Sequence, residues 1–280
     1  MLNNMNIDTS ARDQAKAQWN ATVCGELSGE KNSVEYFRRV EEDRYSQQDW
    51  VHSYFNYSGF SGKRVLEIGV GQGTDLMQFS KAEVECFGVD ITDNHLSITK
   101  RNFSLRGKEV DLRKADATQL PFPDGYFDCV YSFGVLHHIP EIDKVISEVQ
   151  RVLKPRGKVM IALYFKWSVF HLFKWVLMQG ILRGWLFTKG YAGLLATIET
   201  GADGVKVKPY VKLYSKTDVH RLLKNFEILN ISVHQLKLDH FLPSYIAKGL
   251  VKIFPSLGDF PRLQNQFGWY VTCKAKRSDN

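Results

Sequence analysis

A short apolar run beginning at Arg64 leads straight into Glu67-Ile-Gly69-Val-Gly71-Gln-Gly73-Thr-Asp75. Glycines in such a turn admit backbone angles closed to other residues and let a ligand approach the main chain beside the N-terminus of the next helix. The spacing is GxGxG, whereas the dinucleotide fingerprint GxGxxG would want glycine where Thr74 stands. A second apolar run ends in Asp90, whose carboxylate could take both hydroxyls of a ribose as charge-assisted hydrogen bonds or could simply cap the following helix. Farther on, Ser132-Phe-Gly-Val-Leu ends in the pair His137-His138. An imidazole there could take a proton from a reacting hydroxyl or amine, or could pack structurally. Tyr36, Tyr45, Tyr164 and Tyr210 are further candidates that the sequence does not rank. Cys24, Cys86, Cys129 and Cys273 form no CxxC pair, so no metal is expected. Cys86 and Cys129 lie in apolar runs and read as buried hydrophobes, and Cys24, close to Trp19 and the expected lid, reads as a packed thiol or as a functional one.

The elements that must position these groups alternate regularly. Strands are expected at Arg64–Gly69, Val84–Asp90, Val110–Ala115, Phe127–Ser132 and Lys158–Tyr164. Helices are expected at Thr74–Lys81, Asp93–Arg106 and Glu141–Leu153, the last closed by Lys154-Pro-Arg-Gly157. Such alternation implies a largely parallel sheet covered by helices on both faces. Residues 1–60 look helical, with apolar positions at helix-like intervals from Ser33 to Phe55. After Tyr164 the pattern breaks. Phe165 to Leu195 is rich in aromatic and long apolar residues, with Lys166, His171, Lys174, Gln179, Arg183 and Lys189 interspersed. The alternation returns with a helix capped by Ser215 and strands near Glu227–His234 and Gly268–Lys274, separated by an irregular stretch at 240–266.

In this order the motifs resemble the class I SAM-dependent methyltransferases, especially the group that modifies small molecules and quinones. Val65-Leu-Glu-Ile-Gly-Val-Gly-Gln-Gly73 looks like their first motif, and Gly88-Val-Asp-Ile91 like the second. Ala115-Asp-Ala-Thr-Gln-Leu-Pro-Phe-Pro-Asp124 resembles the third. Phe127 to His138 resembles the fourth strand with its loop, and Arg151-Val-Leu-Lys-Pro-Arg-Gly157 the turn before the fifth strand. The resemblance covers roughly residues 60–164, with a weaker echo at 210–235 and 267–275. It implies an α/β, Rossmann-like, seven-stranded and mostly parallel sheet, with an N-terminal helical lid (1–60) and a cofactor-binding core (61–164). An aromatic and basic insertion (165–213) would follow as a substrate cap, and 214–280 would complete the sheet.

The cofactor implied is S-adenosyl-L-methionine (SAM). Gly69, Gly71 and Gly73 would cradle its methionine part, and Glu67 would orient that loop or the amino group. Asp90 would take the ribose, Ile91 would pack on the adenine, and Asp116 and Ala117 would meet the ring. Phe133 would line the pocket near the sulfonium, Trp19 would close over it unless it merely packs, and His137 or His138 would be the candidate base. Methyl transfer from a preactivated cation needs alignment and exclusion of water more than elaborate acid–base machinery.

The insertion narrows the acceptor. Trp167 to Leu182 is shorter than the roughly 20 apolar residues a spanning helix needs, and His171, Lys174 and Gln179 interrupt it. Its aromatics and basic residues suit a buried cap over an apolar pocket, an interfacial segment touching lipid through 165–190, or a homodimer face. The expected partner is therefore a small-molecule acceptor with an apolar or aromatic part, and the expected location is cytoplasmic, with peripheral membrane placement as the alternative. The charge is uneven: of 37 basic and 30 acidic residues, Tyr164 to Asn280 holds 17 and 7. That basic half would suit a phosphate-bearing substrate, nucleic acid or lipid surface, or is a solvated face. RNA methylation is disfavoured, because Ser132-Phe-Gly-Val135 stands where base-amine methyltransferases carry an Asn/Asp-Pro-Pro-aromatic motif. A non-catalytic SAM-binding protein is disfavoured by the completeness of the cofactor-side motifs.

Overall fold

The computed structural model describes residues 13, 15–20, 23, 25–29, 33–200, 209–242, 244–254, 260 and 262–278. Cys24 lies outside the described residues, as do Pro243, Pro255 and Pro261. The strands are β1 (Arg64–Ile68), β2 (Glu85–Asp90), β3 (Asp111–Lys114), β4 (Phe127–Phe133), β5 (Leu153–Tyr164), β6 (Phe226–His234) and β7 (Tyr270–Arg277). They form one sheet in the order β3-β2-β1-β4-β5-β7-β6. Pairs from β3 to β5 are parallel, and β7 runs antiparallel to both β5 and β6. Because β2 and β4 flank β1, the chain reverses its winding there, and the crevice at the carboxyl ends of β1, β2 and β4 is where ligands of such sheets bind.

The period-two alternation of buried strands sends side chains to two cores. On one face Leu66, Ile68, Val89, Val130 and Ile161 pack against α5 (Ile142–Val152). That helix buries Ile142, Val145, Ile146, Val149 and Val152, a stripe at i, i+3, i+4 and i+7. On the other face Val65, Cys86, Cys129, Tyr131 and Met160 meet α2 (Trp50–Phe55) and α3 (Thr74–Lys81). Cys86, Cys129 and Cys273 are buried free thiols, as expected for small hydrophobes in these strands.

Two boundaries differ from the sequence expectation. The helical stretch from Ser33 to Phe55 breaks between α1 (Val34–Gln47) and α2, where Gln48 leaves the helical region. The break lets α1 lie over the glycine turn while α2 packs on the sheet. The Lys154–Gly157 turn is absorbed into β5, with Arg156 at φ 62° and a register shift opposite β4.

The insertion after β5 folds as a helical hairpin. Phe170–Leu182 is wound as a π-helix, and α6 (Trp185–Thr200) returns beside it, kinked at Gly190. Tyr191 Oη lies 3.0 Å from His171 Nε2, and Gly180 lets Leu194 approach to 3.0 Å of where a Cβ would stand. Beyond it, α7 (Lys216–Leu222) begins with the Ser215–Asp218 capping box.

His234 gives the fold a pH dependence. Its ring lies flat on Trp50, with centroids 4.2 Å apart and planes 5° apart. Burial, reinforced by the Lys274 charge, lowers its pKa to about 4. Burial likewise holds His240 at about 4. Both folded-state values lie below the unfolded value near 6.5, so the unfolded chain binds more protons as pH falls through that window. Stability from these sites is complete above about pH 6.5 and declines towards pH 4. The melting temperature is expected to drop between pH 7.5 and 5, and His234→Phe, which keeps the stack on Trp50, should show a smaller drop. An equal drop in both proteins would remove His234 as a source.

Candidate functional site

A cavity of about 460 Å³ lies at the carboxyl ends of β1, β2 and β4, within the usual size of small-ligand pockets. Its wall includes Glu67, Gly69, Gly71, Asp90, Ile91, Asp116, Ala117, Phe133, Trp19 and His138. Ten of the sequence-predicted site residues are therefore brought together. Two are not. Gly73, at φ 72°, stands against α4 (Asp93–Leu105), where a Cβ would meet Thr99 at 2.7 Å. It shapes the turn from behind. His137 is fully buried behind the wall, its ring centroid 3.8 Å from that of Tyr164. Burial, then neighbouring His138, drives its pKa well below the usual value.

The glycine turn is held from outside by residues the motif does not include. Thr99 Oγ1 donates to Gly71 O (3.0 Å), and Asn102 Nδ2 donates to Gln72 O (2.8 Å). Tyr36 Oη donates to Gln72 Oε1 (3.0 Å), tying α1 to the same turn. Gly69 is at φ 79°, and a Cβ there would meet Val135 at 2.4 Å. Around Gly71 a Cβ would meet nothing within 4 Å, which leaves room for a ligand to close on the main chain.

The carboxylates sit in distinct environments. Asp90 Oδ1 accepts from Thr92 N and Thr92 Oγ1, both at 2.9 Å, and Oδ2 lies 3.3 Å from His95 Nδ1. Thr92 in turn caps α4. The carboxylate is thus aimed by the helix start, and Oδ2, which faces only His95, keeps lone-pair capacity for a ligand. Asp116 Oδ1 accepts from Thr118 N (2.8 Å) and Thr118 Oγ1 (2.7 Å), which fixes its rotamer at the cavity. Glu67 is buried, and its Oε2 has no hydrogen-bond partner among the described residues. Burial, then the charge of Asp75, pushes its pKa well above the usual carboxylate range.

Beneath Glu67 runs a buried ionic network. Arg44 grips Asp75 in a bidentate pair, Nε to Oδ1 at 3.0 Å and Nη2 to Oδ2 at 2.6 Å. Tyr45 Oη and Tyr131 Oη each donate to Asp75 at 2.7 Å. The Arg44 guanidinium also lies 4.3 Å over the Phe133 ring. Burial raises the Asp75 carboxyl, but Arg44 and the two hydroxyls outweigh it and hold it below the usual range.

On the same cavity wall three polar side chains meet. Tyr164 Oη donates to Glu199 Oε1 at 2.7 Å. His138 Nδ1 lies 2.9 Å from Tyr210 O, which assigns that nitrogen the proton. His138 Nε2 is then an acceptor, 3.8 Å from Glu199 Oε1 and without a hydrogen-bond partner among the described residues. The structure thus sorts the tyrosines: Tyr36 and Tyr45 are spent on the glycine turn and Asp75, Tyr210 contributes its carbonyl, and Tyr164 faces the cavity. Glu199 was invisible in the sequence, because no local pattern pairs a helix end in the insertion with the His137-His138 loop. His137, His138 and Glu199 form a group whose ligand atoms converge within 4.8 Å; the sequence expectation of no metal rested on cysteine spacing and did not weigh it. Trp19 packs edge-on against His138, with centroids 5.2 Å apart. Among the described residues of the insertion, Glu199 alone lines the cavity. Within the insertion Leu194, Leu195 and Ala196 are buried, whereas Trp167, Leu182 and Phe187 are exposed.

Comparison with known proteins bears on this arrangement. Residues 66–161 match the family model described as a methyltransferase domain. That segment is a class I SAM-dependent methyltransferase domain. Over 106 residues the chain is 37% identical to phosphatidylethanolamine N-methyltransferase of Cereibacter sphaeroides, covering 37% of this chain and 52% of that protein. Over 123 residues it is 35% identical to demethylmenaquinone methyltransferase of Renibacterium salmoninarum, covering 44% and 49%. The chain thus spans about half the length of these curated relatives. A crystal structure of a SAM-dependent methyltransferase from Methanosarcina mazei shares the fold, with TM-score 0.58 and 18% identity over 81% of this chain and 98% of that one.

The methyltransferase cavity fits SAM on its own chemistry. SAM carries a sulfonium and an ammonium, and the wall includes the carboxylates of Glu67, Asp90, Asp116 and Asp43. The unpartnered Glu67 Oε2 suits the ammonium, the aimed Asp90 carboxylate suits a ribose diol, and the open face of Gly71 suits close approach of the methionine chain.

Proposed function

We propose that the protein is an enzyme that transfers a methyl group from SAM to a small-molecule acceptor with a substantial apolar or aromatic part. The observation that carries this reading is that one cavity is lined both by the glycine turn with its carboxylates and by Phe133, Ile139, Tyr164 and Tyr270 together with His138 and Glu199. Bound SAM supplies an electrophilic methyl group on a positively charged sulfur. In this reading Gly69, Gly71 and Glu67 hold the methionine part, Asp90 the ribose, and Ile91, Asp116 and Ala117 the adenine. Gly73 keeps the turn in place. Trp19 closes over the cavity, and Phe133 with Tyr270 excludes water beside the transfer position. His138 Nε2 and Glu199 present two acceptor atoms to a donor between them, so a hydroxyl or amine of the acceptor can be oriented there and its proton taken. His137, without access to the cavity, supports Tyr164 by packing.

The two relatives named for phosphatidylethanolamine and demethylmenaquinone support an acceptor that is lipid-like or carries a lipid tail. A quinone- or lipid-modifying enzyme working at a membrane surface is the second reading, and the exposed apolar insertion favours it. The test follows methyl label from SAM into a cell extract incubated with the protein and then split into organic and aqueous phases. Label entering the organic phase with the intact protein, and not with a heat-inactivated sample, is the expected result. Label confined to the aqueous phase would overturn the apolar acceptor.

A further inference from the structure

We propose that the helical hairpin after β5 and helix α8 (Ser244–Ile253) together form a docking face for an anionic lipid surface. Among the described residues, every large apolar side chain that stands exposed, Leu229 excepted, lies between Trp167 and Tyr191 or between Phe241 and Phe267. Single exposed apolar residues are ordinary, but confinement of nearly all of them to two segments is not. Phe187 is 80% exposed and Leu182 66% on the first segment, Tyr245 77% and Ile253 68% on the second. These values exclude a role in the core.

The two segments are one surface. Phe173 and Phe241 rings lie 6.4 Å apart, and Lys174 Nζ donates to Asp239 O at 3.1 Å. Their charge is predominantly positive. Residues 165–191 contain Lys166, Lys174, Arg183 and Lys189 and no carboxylate, and 241–267 contain Lys248, Lys252 and Arg262 against Asp259. Lys166 and Lys189 lie over the Trp167 and Trp185 rings, at 5.1 and 4.5 Å. Apolar side chains flanked by cations and tryptophan match an interface where acyl chains meet anionic headgroups. A symmetric dimer through the same face would set these cations against their own copies, which like-charge repulsion opposes. No helix among the described residues is long and apolar enough to cross a membrane, so contact would be with one leaflet.

The inference goes beyond the proposed activity and does not depend on it, because vesicle binding requires neither SAM nor an acceptor. The full chain is mixed with sedimentable vesicles of phosphatidylcholine alone or with a third phosphatidylglycerol, at low and at physiological salt. The expected result is binding to the anionic vesicles that weakens as salt rises. Each basic residue near the surface contributes about five-fold, so Arg183→Glu/Lys189→Glu should weaken binding at least 25-fold by about that rule. Leu182→Ser/Phe187→Ser should abolish the salt-resistant part, while its unchanged thermal melt shows that it still folds. Equal binding to neutral and anionic vesicles, or none to either, would overturn the proposal. So would a stable dimer in solution that Leu182→Ser/Phe187→Ser converts to monomer.

Discussion

Asp90→Ala is expected to weaken SAM binding by about two to four orders of magnitude. A carboxylate taking two hydroxyls makes two charge-assisted hydrogen bonds, each of about 1.5–3 kcal/mol, which together correspond to roughly 10²–10⁴-fold in affinity. The same carboxylate accepts from Thr92 N and Thr92 Oγ1, so alanine also loosens the start of α4. Asp90→Asn separates the two effects. Its amide oxygen still serves Thr92, and its NH₂ group turns one acceptor into a donor. Calorimetric titration with SAM should therefore show most of the loss in the Asp90→Asn protein at nearly unchanged melting temperature. Wild-type affinity in the alanine protein would remove Asp90 from the cofactor site and leave it the helix-capping role weighed from the sequence.

The elements that carry this site were legible because their signals are local. Strand, glycine turn and helix start lie within a dozen residues of one another, and the position of a carboxylate at a strand end follows from counting. The expected sheet appears with boundaries within a few residues, and ten of the predicted residues line one cavity. What the sequence hid is non-local. The Tyr164–Glu199 bond joins residues 35 apart, and Arg44 meets Asp75 across 31; no periodicity links either pair. His137 and His138 are adjacent in the chain and look interchangeable, yet one short turn buries the first behind Tyr164 and leaves the second on the cavity wall. The insertion illustrates a different limit. Its aromatic and apolar content is suited both to a core and to an exposed face, and composition does not say that Leu194 and Leu195 are buried while Leu182 and Phe187 are exposed.

Arg44→Ala should be among the most destabilising single substitutions in the chain. Removing one partner of a buried ion pair costs about 3–5 kcal/mol, because the other charge remains desolvated. Arg44 keeps 22% of its side-chain surface exposed against 5% for Asp75, which places the expected cost near the lower end, about 3 kcal/mol. The sign of the pH dependence follows from Asp75. Its folded-state pKa lies below the usual carboxylate range, so its contribution is complete above the unfolded value near 3.9 and is lost as pH falls through the folded one. Without the guanidinium, only the two tyrosine hydroxyls oppose burial, and that pKa rises. The Arg44→Ala protein should then favour a protonated Asp75 and lose stability as pH rises through its new folded-state value, the reverse of the wild-type trend. Asp75→Asn in the same chain removes the charge; its amide oxygen still accepts from one of Tyr45 and Tyr131, and its NH₂ group donates towards the other hydroxyl oxygen. Denaturant unfolding of the double variant should recover at least half of the loss seen with Arg44→Ala alone and show no such loss as pH rises. If the two substitutions instead add, the pair is energetically uncoupled, and the fixed position of α1 over the cofactor turn must come from Tyr36 and the packing of α1.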